Sequence, residues 1–410
     1  MRILVISNLY PPAVRGGYEL ECAAVVDHLR ERGDEVTVLT SRLGRGGARD
    51  NRVLRLLPFL PQSPLGAIRA PLASLSAART TEKVIASSLP ELVFAWNCAR
   101  IPHATIYSAL RSQIPTVFRI DEFWFERLFK GDQFARHLFP GDRGARRAWA
   151  TSIRGLNRAR ALRIDPDARF PVAVSWISEF LHASTATPAG VTIELERVIV
   201  PGPPNPERFV SVERKLPRER KLICFVGRLS QEKGPDVAVK ALARLRSVHS
   251  LDVELVFAGH SSRSERRSLV DLAGSLGVDE RCRFMGQLEP AAIADLLSRG
   301  DALVVPSLWE EPLGFVALEG ALARIPVVAS RSGGIPEILS DPEEALLFPP
   351  GDADACAEAL ASVLGRPVET AARVERAFVR ASALSQDSFL CRIDAFLTDS
   401  LSVLAGRPAA

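Results

Sequence analysis

Residues 301–339 are the stretch that most constrains how this chain can fold. Ala302 to Val305 is a short apolar run closed by Pro306, a pattern typical of a strand buried on both faces of a parallel sheet. A polar loop follows, after which apolar residues recur at helical spacing from Phe315 to Leu322, and residues 325–329 read as a second buried strand. The stretch therefore predicts a strand, loop, helix and strand in succession, the repeating unit of an α/β protein.

The loop in this unit carries groups suited to a single ligand. Ligands of open α/β sheets bind at the carboxyl ends of the strands, and the free N–H groups of a helix N-terminus, here Gly314, Phe315 and Val316, favour an anion. Glu311 lies in the loop and Glu319 about one turn into the helix, so two carboxylates can converge on that ligand. A ligand with both phosphate and hydroxyl groups fits this pattern, which favours a nucleotide sugar.

A second candidate for anion binding follows the predicted strand Leu222 to Val226. The sequence GRLSQEKG places Arg228 and Lys233 in a glycine-bounded turn, and Pro235 then suits the first position of a helix. An arginine fork can hold two phosphate oxygens, and a lysine adds a point charge. The turn is therefore predicted to clamp a phosphate-bearing ligand.

Size and composition describe an ordinary globular chain with room for two domains. It has 410 residues, of which 47% are hydrophobic and 24% charged. The first residues enter a strand directly, and no apolar run approaches the roughly 18 residues that a membrane span needs, so we expect a cytoplasmic protein. Six cysteines without C-x-x-C spacing predict reduced thiols.

The net charge is only +4, but residues 127–169 contain eleven basic and four acidic residues. A solvated helical face explains such a run, and contact with the anionic inner face of a membrane or with an anionic acceptor is the alternative. Nucleic acid is not an expected partner, because no binding motif accompanies the charge.

The segment Leu54 to Leu75, rich in proline and leucine, is expected to precede a helix that ends near Ser87. It either packs on the sheet or, by the resemblance described next, shapes the pocket for a lipid or aglycone acceptor.

The central stretch resembles the donor-site signature of retaining glycosyltransferases of family four (glycosyl transferases group 1). The signature is an E-P-x-G-x-x-x-x-E core with an S-x-x-E lead and a glycine-rich tail, and the matching residues are Ser307, Glu311, Pro312, Gly314, Glu319, Pro326, Gly333, Gly334 and Glu337. Arg324 stands where the family usually has glycine. The resemblance implies the GT-B fold, in which two Rossmann-like α/β domains face each other across a cleft.

The expected domain division follows from this resemblance. Residues 1–185 are predicted to form an acceptor-binding domain and residues 186–385 a donor-binding domain. A terminal helix over 386–405, with apolar residues on one stripe, is expected to cross back to the first domain.

The resemblance also assigns roles at the donor site. Arg228 and Lys233 would bind the pyrophosphate, Glu319 the ribose hydroxyls and Glu311 the transferred sugar. The remaining donor-binding candidates are the loop and helix tip Leu313, Gly314, Phe315 and Val316, the strand-end residue Met285 beside the base, and Gly16 and Gly17 in the glycine loop of the first domain.

Asp121 occupies the position where the family usually has a histidine that contacts the sugar or acceptor. An ionised aspartate accepts hydrogen bonds from sugar hydroxyls but cannot donate them. We count Asp121 among the catalytic candidates, with Glu311, Arg228 and Lys233. His103 could compensate for the missing histidine, although a lone helical histidine is more often a packing or surface residue.

The implied function is transfer of a sugar, with retention and without a metal, from a UDP- or GDP-sugar to a glycan, lipid-linked or small-molecule acceptor (a hexosyltransferase of class EC 2.4). No metal or cofactor is expected, and the D-x-D sequences at 165–167 and 352–354 are interpreted as a turn and a helix cap. The alternatives are a GT-B epimerase or phosphorylase and a non-catalytic module that binds nucleotide sugars.

Overall fold

The computed structural model describes residues 1–44, 52–61, 63–128, 139, 141–160, 169–203, 205–210, 213–214 and 220–405. The chain divides into two compact units. The first comprises Met1–Val200 and Phe389–Ala410, and the second comprises Pro201–Ser388.

The first unit is built on a parallel sheet whose order, over the described residues, is β3-β2-β1-β4-β5-β6-β7. Its strands are β1 (Arg2–Ser7), β2 (Glu35–Ser41), β3 (Val53–Leu57), β4 (Leu92–Ala95), β5 (Thr116–Ile120), β6 (Phe170–Trp176) and β7 (Val191–Val198). The helices between them are α1 (Gly17–Glu31), α2 (Pro64–Ser88), α3 (Ala104–Arg111), α4 (Arg143–Arg160) and α5 (Glu179–Ser184). The central strands read as continuous apolar runs because helices cover both faces of a parallel sheet.

The terminal helix, α14 (Gln386–Leu404), belongs to the core of this first unit. Its apolar stripe, with Phe389, Ile393 and Phe396 fully buried, packs in one cluster with Ile3 and Val5 of β1. Burial of this stripe, at about 25 cal/mol per Å² of apolar surface, fixes the helix to the sheet.

The division between the units lies later in the chain than residue 185. β7 pairs with β6 from Phe170 opposite Val191 to Trp176 opposite Val198, with a register shift after Val172, so β7 completes the first sheet rather than beginning the second domain. The strand was missed because its sequence, VTIELERV, is half exposed and alternates with charged residues, as an edge strand can.

The segment before the second helix also differs from the prediction. Residues 53–57 form the edge strand β3, and α2 begins at Pro64, inside the stretch that was expected to precede a helix. Ser63 caps the helix by accepting a hydrogen bond from the Gly66 amide at 3.4 Å, and Pro64 takes the first helical position, where no N–H is needed. Proline at this position therefore starts the helix instead of preventing it.

The second unit is also a parallel α/β structure, with the described strands in the order β10-β9-β8-β11-β12-β13. They are β8 (Lys221–Val226), β9 (Val253–Ala258), β10 (Cys282–Gly286), β11 (Ala302–Val305), β12 (Val327–Ser330) and β13 (Leu346–Phe348). The helices are α6 (Glu207–Val210), α7 (Pro235–Ser247), α8 (Arg263–Ser275), α9 (Pro290–Arg299), α10 (Phe315–Leu322), α11 (Ile335–Ile338), α12 (Ala353–Gly365) and α13 (Pro367–Ala383).

Local sequence signals fix several ends of these helices. Pro235 takes the first position of α7, as predicted. Asp352 caps α12 by accepting hydrogen bonds from the amides of Asp354 and Ala355, so the second D-x-D sequence is a helix cap. The first D-x-D sequence, at 165–167, lies outside the described residues.

Arg324, at the family's glycine position, adopts a left-handed backbone with φ of +50°. Its guanidinium lies 3.4 Å from the centre of the Phe378 ring, and its Nε is 3.0 Å from a carboxylate oxygen of the exposed Glu375. These contacts offset a left-handed conformation that costs a non-glycine residue about 1–2 kcal/mol.

We predict that Arg324→Gly changes the free energy of unfolding by less than about 1 kcal/mol, because relief of the backbone offsets a lost cation–π contact of about 0.5–1 kcal/mol and an exposed ion pair worth less. Arg324→Ala loses the same contacts without that relief and should be the less stable variant by about 1 kcal/mol. Urea unfolding measures both values, and equal stabilities would show that the backbone at this position is not strained.

Candidate functional site

The second unit has a natural ligand site where its strand order reverses. β8 and β11 are neighbours in the sheet, and the chain departs in opposite directions from this pair, to β9 on one side and to β12 on the other. The loops that follow the two strands, 227–234 and 306–314, therefore leave the same edge of the sheet side by side. Open α/β sheets bind ligands in the crevice that such a reversal creates.

The two loops are held together by backbone contacts. The amides of Leu308 and Trp309 both donate to the carbonyl of Glu232, at 2.9 and 3.3 Å. Gly234 has φ of +65°, and a Cβ at this position would lie only 1.9 Å from the carbonyl oxygen of Pro306. Glycine is required here because any side chain would push the two loops apart.

This close approach brings together two predicted site residues, Lys233 and Glu311. The Nζ of Lys233 lies 2.6 Å from Oε1 of Glu311, and the Oγ of the buried Ser307 donates to the same oxygen at 2.5 Å. The Lys233 side chain is 22% exposed and that of Glu311 8% exposed, so the pair is partly desolvated yet open to a ligand. A lysine from one loop and a glutamate from the other thus form one charged cluster.

Trp309 is a member of this cluster that the sequence did not reveal as one. The ammonium of Lys233 lies 5.3 Å from the centre of its ring, within the range of a cation–π contact. The segment after β12 also holds the backbone of Trp309, because the Oγ of Ser332 donates to its carbonyl at 2.5 Å. The one signal in the sequence is a large aromatic residue in an otherwise polar loop two positions before Glu311.

A glycine pair shapes the tip of α10. A Cβ on Gly333 would lie 2.0 Å from the carbonyl oxygen of Glu311, and the amide of Gly334 donates to that carbonyl at 2.8 Å. Gly314 caps the helix with φ of +98°. Phe315 and Val316 occupy the first helical turn, where backbone N–H groups point away from the helix body.

Leu313 departs from the expected arrangement. Its side chain is only 1% exposed and packs in the interior, so it can reach a ligand through its backbone alone. Met285 is 47% exposed at the end of β10, where an apolar side chain is available for contact.

Glu319 lies one turn into α10 and is half-buried. Burial raises the pKa of its carboxyl from 4.5 to about 7. The carboxylate has no ion pair or hydrogen-bond partner among the described residues, so its acceptor capacity is unused. Arg228 is more open: its guanidinium is 55% exposed and pairs with Glu232 at 2.7 Å.

In the first unit, Gly16 and Gly17 stand at the N-terminus of α1. Glu19, buried in the first turn, accepts hydrogen bonds from the amides of Arg15 and Gly16 at 3.1 and 2.9 Å. The carboxylate of Glu19 thus closes the glycine loop onto the helix, which is a structural role.

Asp121 does not have the environment that was expected of it. Its side chain is 1% exposed, and Oδ1 lies 2.9 Å from the Nε of the fully buried Arg119, which also pairs with Glu21 at 2.8 Å. Burial raises the pKa of Asp121 despite the arginine. The carboxylate therefore belongs to a buried charge cluster rather than to an exposed edge, and the role of Asp121 toward a sugar stays a prediction.

A group of mostly buried polar residues lies in the first unit where its own strand order reverses, between β1 and β4. The amide of Asn8 donates to the Asn97 carbonyl at 2.7 Å, and the Asn97 side chain donates to the half-buried Glu122 at 3.0 Å. These three residues, missed as site candidates, each come directly after a strand or one residue beyond it. His103 is buried, and burial lowers its pKa to about 4, so it is a neutral packing residue.

The described residues offer neither a metal site nor a membrane span. No group of three or more His, Cys, Asp or Glu side chains is arranged to hold a metal ion. No helix there has the length and apolar character to cross a membrane.

Comparison with known protein structures addresses the fold. A sucrose-phosphate synthase from Thermosynechococcus elongatus matches 98% of this chain and 99% of its own, with a TM-score of 0.71 and 20% identity. The Anabaena protein HepE, solved in complex with UDP and glucose, matches 97% of this chain and 99% of its own, with a TM-score of 0.67 and 20% identity. The predicted α/β fold of the GT-B class, with two Rossmann-like units, is confirmed.

Sequence comparison addresses the family. The chain is 37% identical over 155 residues to a glycogen synthase of Mycobacterium tuberculosis, which is 38% of this chain and 36% of the relative. It is 36% identical over 158 residues to a D-inositol 3-phosphate glycosyltransferase of Saccharomonospora viridis, covering 37% of this chain and 36% of the relative. The matched region thus spans between about a third and a half of the length of the curated relatives. Residues 207–378, which include every site residue of the second unit described above, match the model of the family "Glycosyl transferases group 1" and form a domain of that family.

Proposed function

We propose that this protein is a glycosyltransferase of class EC 2.4 that moves a sugar from a UDP- or GDP-sugar to an acceptor, with retention of anomeric configuration and without a metal ion. The acceptor is a glycan, a lipid-linked molecule or a small molecule. The observation that carries the proposal is the cluster of Lys233, Glu311 and Ser307 beside the tip of α10, at the strand reversal of the second sheet.

The main chemical task is to stabilise the charge that grows on the diphosphate as the sugar leaves. Lys233 brings a cation to the strand reversal, and the amides of Phe315 and Val316 bring the positive end of a helix. Arg228, on the same loop as Lys233, adds a fork of donors that suits phosphate oxygens. Groups fixed in place before the reaction stabilise developing charge most effectively, because they need no reorganisation.

Glu311 is arranged to hold the transferred sugar. Lys233 and Ser307 both contact Oε1, and none of the described hydrogen bonds uses Oε2. The free oxygen can therefore accept hydrogen bonds from sugar hydroxyls while its partner orients the carboxylate. A carboxylate held by a lysine in this way is a stabilising and positioning group, and we propose that neither Glu311 nor Glu319 acts as a nucleophile.

Two parts of the proposal rest on the resemblance to the family. Retention and metal independence are expected of it, with the departing phosphate helping to deprotonate the acceptor on the same face of the sugar. Proton NMR of the first product would reveal the configuration of the new bond. Unchanged turnover after exhaustive treatment with EDTA would support the metal-free mechanism.

Glu319 is proposed to accept the hydroxyls of the ribose, and its raised pKa makes donor binding depend on pH. Below about pH 7 the free protein holds this carboxyl protonated, so one acceptor is lost, and donor affinity should rise several-fold between pH 6 and pH 8. Isothermal titration of the nucleoside diphosphate measures this change. In Glu319→Gln the rise should vanish; a rise that persists unchanged would assign the pH dependence to another group.

Folding stability should depend on Glu319 in the opposite direction. Because the folded-state pKa is raised, the carboxyl disfavours ionisation in the native protein, and its contribution to stability is lost as the pH rises from about 4.5 through 7. Between pH 5 and pH 7.5, Glu319→Gln should therefore lose less thermal stability than the wild type. The effect on stability is distinguished from the effect on donor affinity by its opposite dependence on pH.

The substrate class is tested with a panel of nucleotide sugars, beginning with UDP-glucose because UDP and glucose are bound in HepE. Donor hydrolysis and transfer to added acceptors are measured for the wild type and for Glu311→Ala. Turnover without a sugar acceptor, or with free phosphate, would favour an epimerase or a phosphorylase. Tight binding of a nucleotide sugar without turnover under any acceptor would favour a binding module.

A further inference from the structure

Helix α2 packs on the first unit with its small side chains and presents its large apolar side chains to solvent. Apart from Val84, the described side chains of the buried face have little apolar surface to offer; they are Ala67, Ala70, Ser74, Ala77, Ala78 and Thr81. On the opposite face Leu65, Ile68 and Leu72, which we call the α2 stripe, are 49%, 58% and 76% exposed. A helix shaped by folding alone would place these residues the other way round.

The α2 stripe is continuous with basic side chains on the same helix. At 100° per residue, Leu65, Ile68 and Leu72 fall within an arc of about 60°, and the exposed Arg69, Arg79 and Lys83 lie within about 40° of that arc. Glu82 is the one acidic residue between Pro64 and Ser88. Large apolar residues near the start of the helix are therefore followed by cations on one exposed surface.

A second basic helix packs against α2. The sequence of α4, Arg143–Arg160, contains six arginines and no acidic residue, and the helix contacts α2. Among its described side chains Arg143 and Arg147 are exposed and Arg146 is half-buried. A second element with exposed arginines thus lies against α2.

We propose that this face docks on an anionic lipid bilayer, with the α2 stripe inserted among the headgroups and the basic residues of α2 and α4 against the lipid phosphates. An aliphatic stripe bordered by lysine and arginine is the composition of an element that lies in the plane of a membrane interface. The positive charge complements a lipid surface, whereas a protein partner of this size would need a mixed or acidic face. The described basic residues place the membrane contact on α2 and α4 rather than on the whole of 127–169, part of which lies outside the described residues.

The test is flotation of the full chain with vesicles of phosphatidylcholine, with and without one-third phosphatidylglycerol. The wild type should float only with the anionic vesicles, and binding should weaken as salt is raised. Ile68→Glu with Leu72→Glu should lower the partition coefficient by on the order of tenfold or more. Arg143→Ala with Arg147→Ala should lower it by about fivefold for each residue.

The matched control is Val368→Glu with Val379→Glu on α13, two valines that are 83% and 66% exposed on a helix whose arginines donate to backbone carbonyls of the same unit. These changes should leave vesicle binding unaltered. Circular dichroism and donor hydrolysis without an acceptor should be unchanged in every variant, because none of the substituted residues lies in the proposed donor site.

Three outcomes would overturn the proposal. The first is equal flotation of the wild type and the stripe variant, and the second is equal binding to neutral and anionic vesicles. The third is a lipid-free dimer that becomes a monomer when Leu72 is replaced, which would assign the α2 stripe to a second copy of the chain. None of these results depends on whether the protein transfers sugars.

Discussion

Replacing Lys233 with alanine is expected to lower kcat for sugar transfer by about a hundred- to a thousandfold. The ammonium is the cation that the two loops hold at the strand reversal, fixed by Glu311 at 2.6 Å and by the ring face of Trp309 at 5.3 Å. Removal of one preorganised group that stabilises developing negative charge costs on the order of 3 kcal/mol in the barrier. Steady-state kinetics at saturating donor measure the loss.

Lys240→Ala is the matched control for this variant. Lys240 lies on the next helix and forms an exposed pair with Asp236 at 2.9 Å, so its loss changes the net charge equally without touching the cluster. Its kcat should stay within about twofold of the wild type, since an exposed ion pair contributes little. Equal losses in the two variants would show that the site responds to net charge alone.

Glu311→Ala is expected to reduce transfer by a similar factor and to leave the nucleoside diphosphate bound at least as tightly as in the wild type. The variant loses the group that holds the sugar, so kcat/KM falls. Its Lys233, however, no longer has the carboxylate beside it, and the cluster gains one unit of positive charge. Affinity for UDP or GDP should therefore rise several-fold, as expected when a competing partner about 3 Å away is removed.

Two further variants test whether Glu311 holds the sugar or only maintains the local structure of the site. Ser307→Ala removes the second donor to Oε1 and should give a smaller loss, of about tenfold, because Lys233 still orients the carboxylate. Glu311→Gln keeps the size of the side chain and should lose transfer almost as fully as the alanine variant. A parallel fall in activity and in diphosphate affinity for Glu311→Ala would contradict the proposed division of roles.

Much of the second unit could be predicted from the sequence, because its signals are local. The buried strand at 302–305, the helix at 315–322 and the glycines at 333 and 334 follow from apolar runs, helical spacing and turn chemistry. The meeting of Lys233 with Glu311 follows from strand order, since both lie in loops after strands that turn out to be neighbours. The sequence could indicate that both residues bind one ligand, but only the strand order of the sheet shows that their two loops are in contact.

The misassignments involve contacts between residues distant in sequence. Arg119 reaches Glu21, Ser175 and Ile199, so the burial of Asp121 depends on four separate segments, and no local pattern predicts it. The strand at 191–198 is an exposed edge whose pairing with β6 decides its assignment. Trp309 was not predicted to be a site residue, because a single aromatic residue in a loop belongs to no periodic pattern that would indicate its contacts.

Binding of a diphosphate at Lys233 and the tip of α10 is the central feature of the proposed site. The most direct test of it compares the affinities of two ligands. The affinities of a nucleoside diphosphate and of the corresponding free nucleoside are measured by calorimetry for the wild type and for Lys233→Ala. Lys233→Ala should lower the affinity for the diphosphate by about tenfold or more and leave the affinity for the nucleoside unchanged. An equal loss for both ligands, or no loss for either, would show that Lys233 does not grip the phosphates.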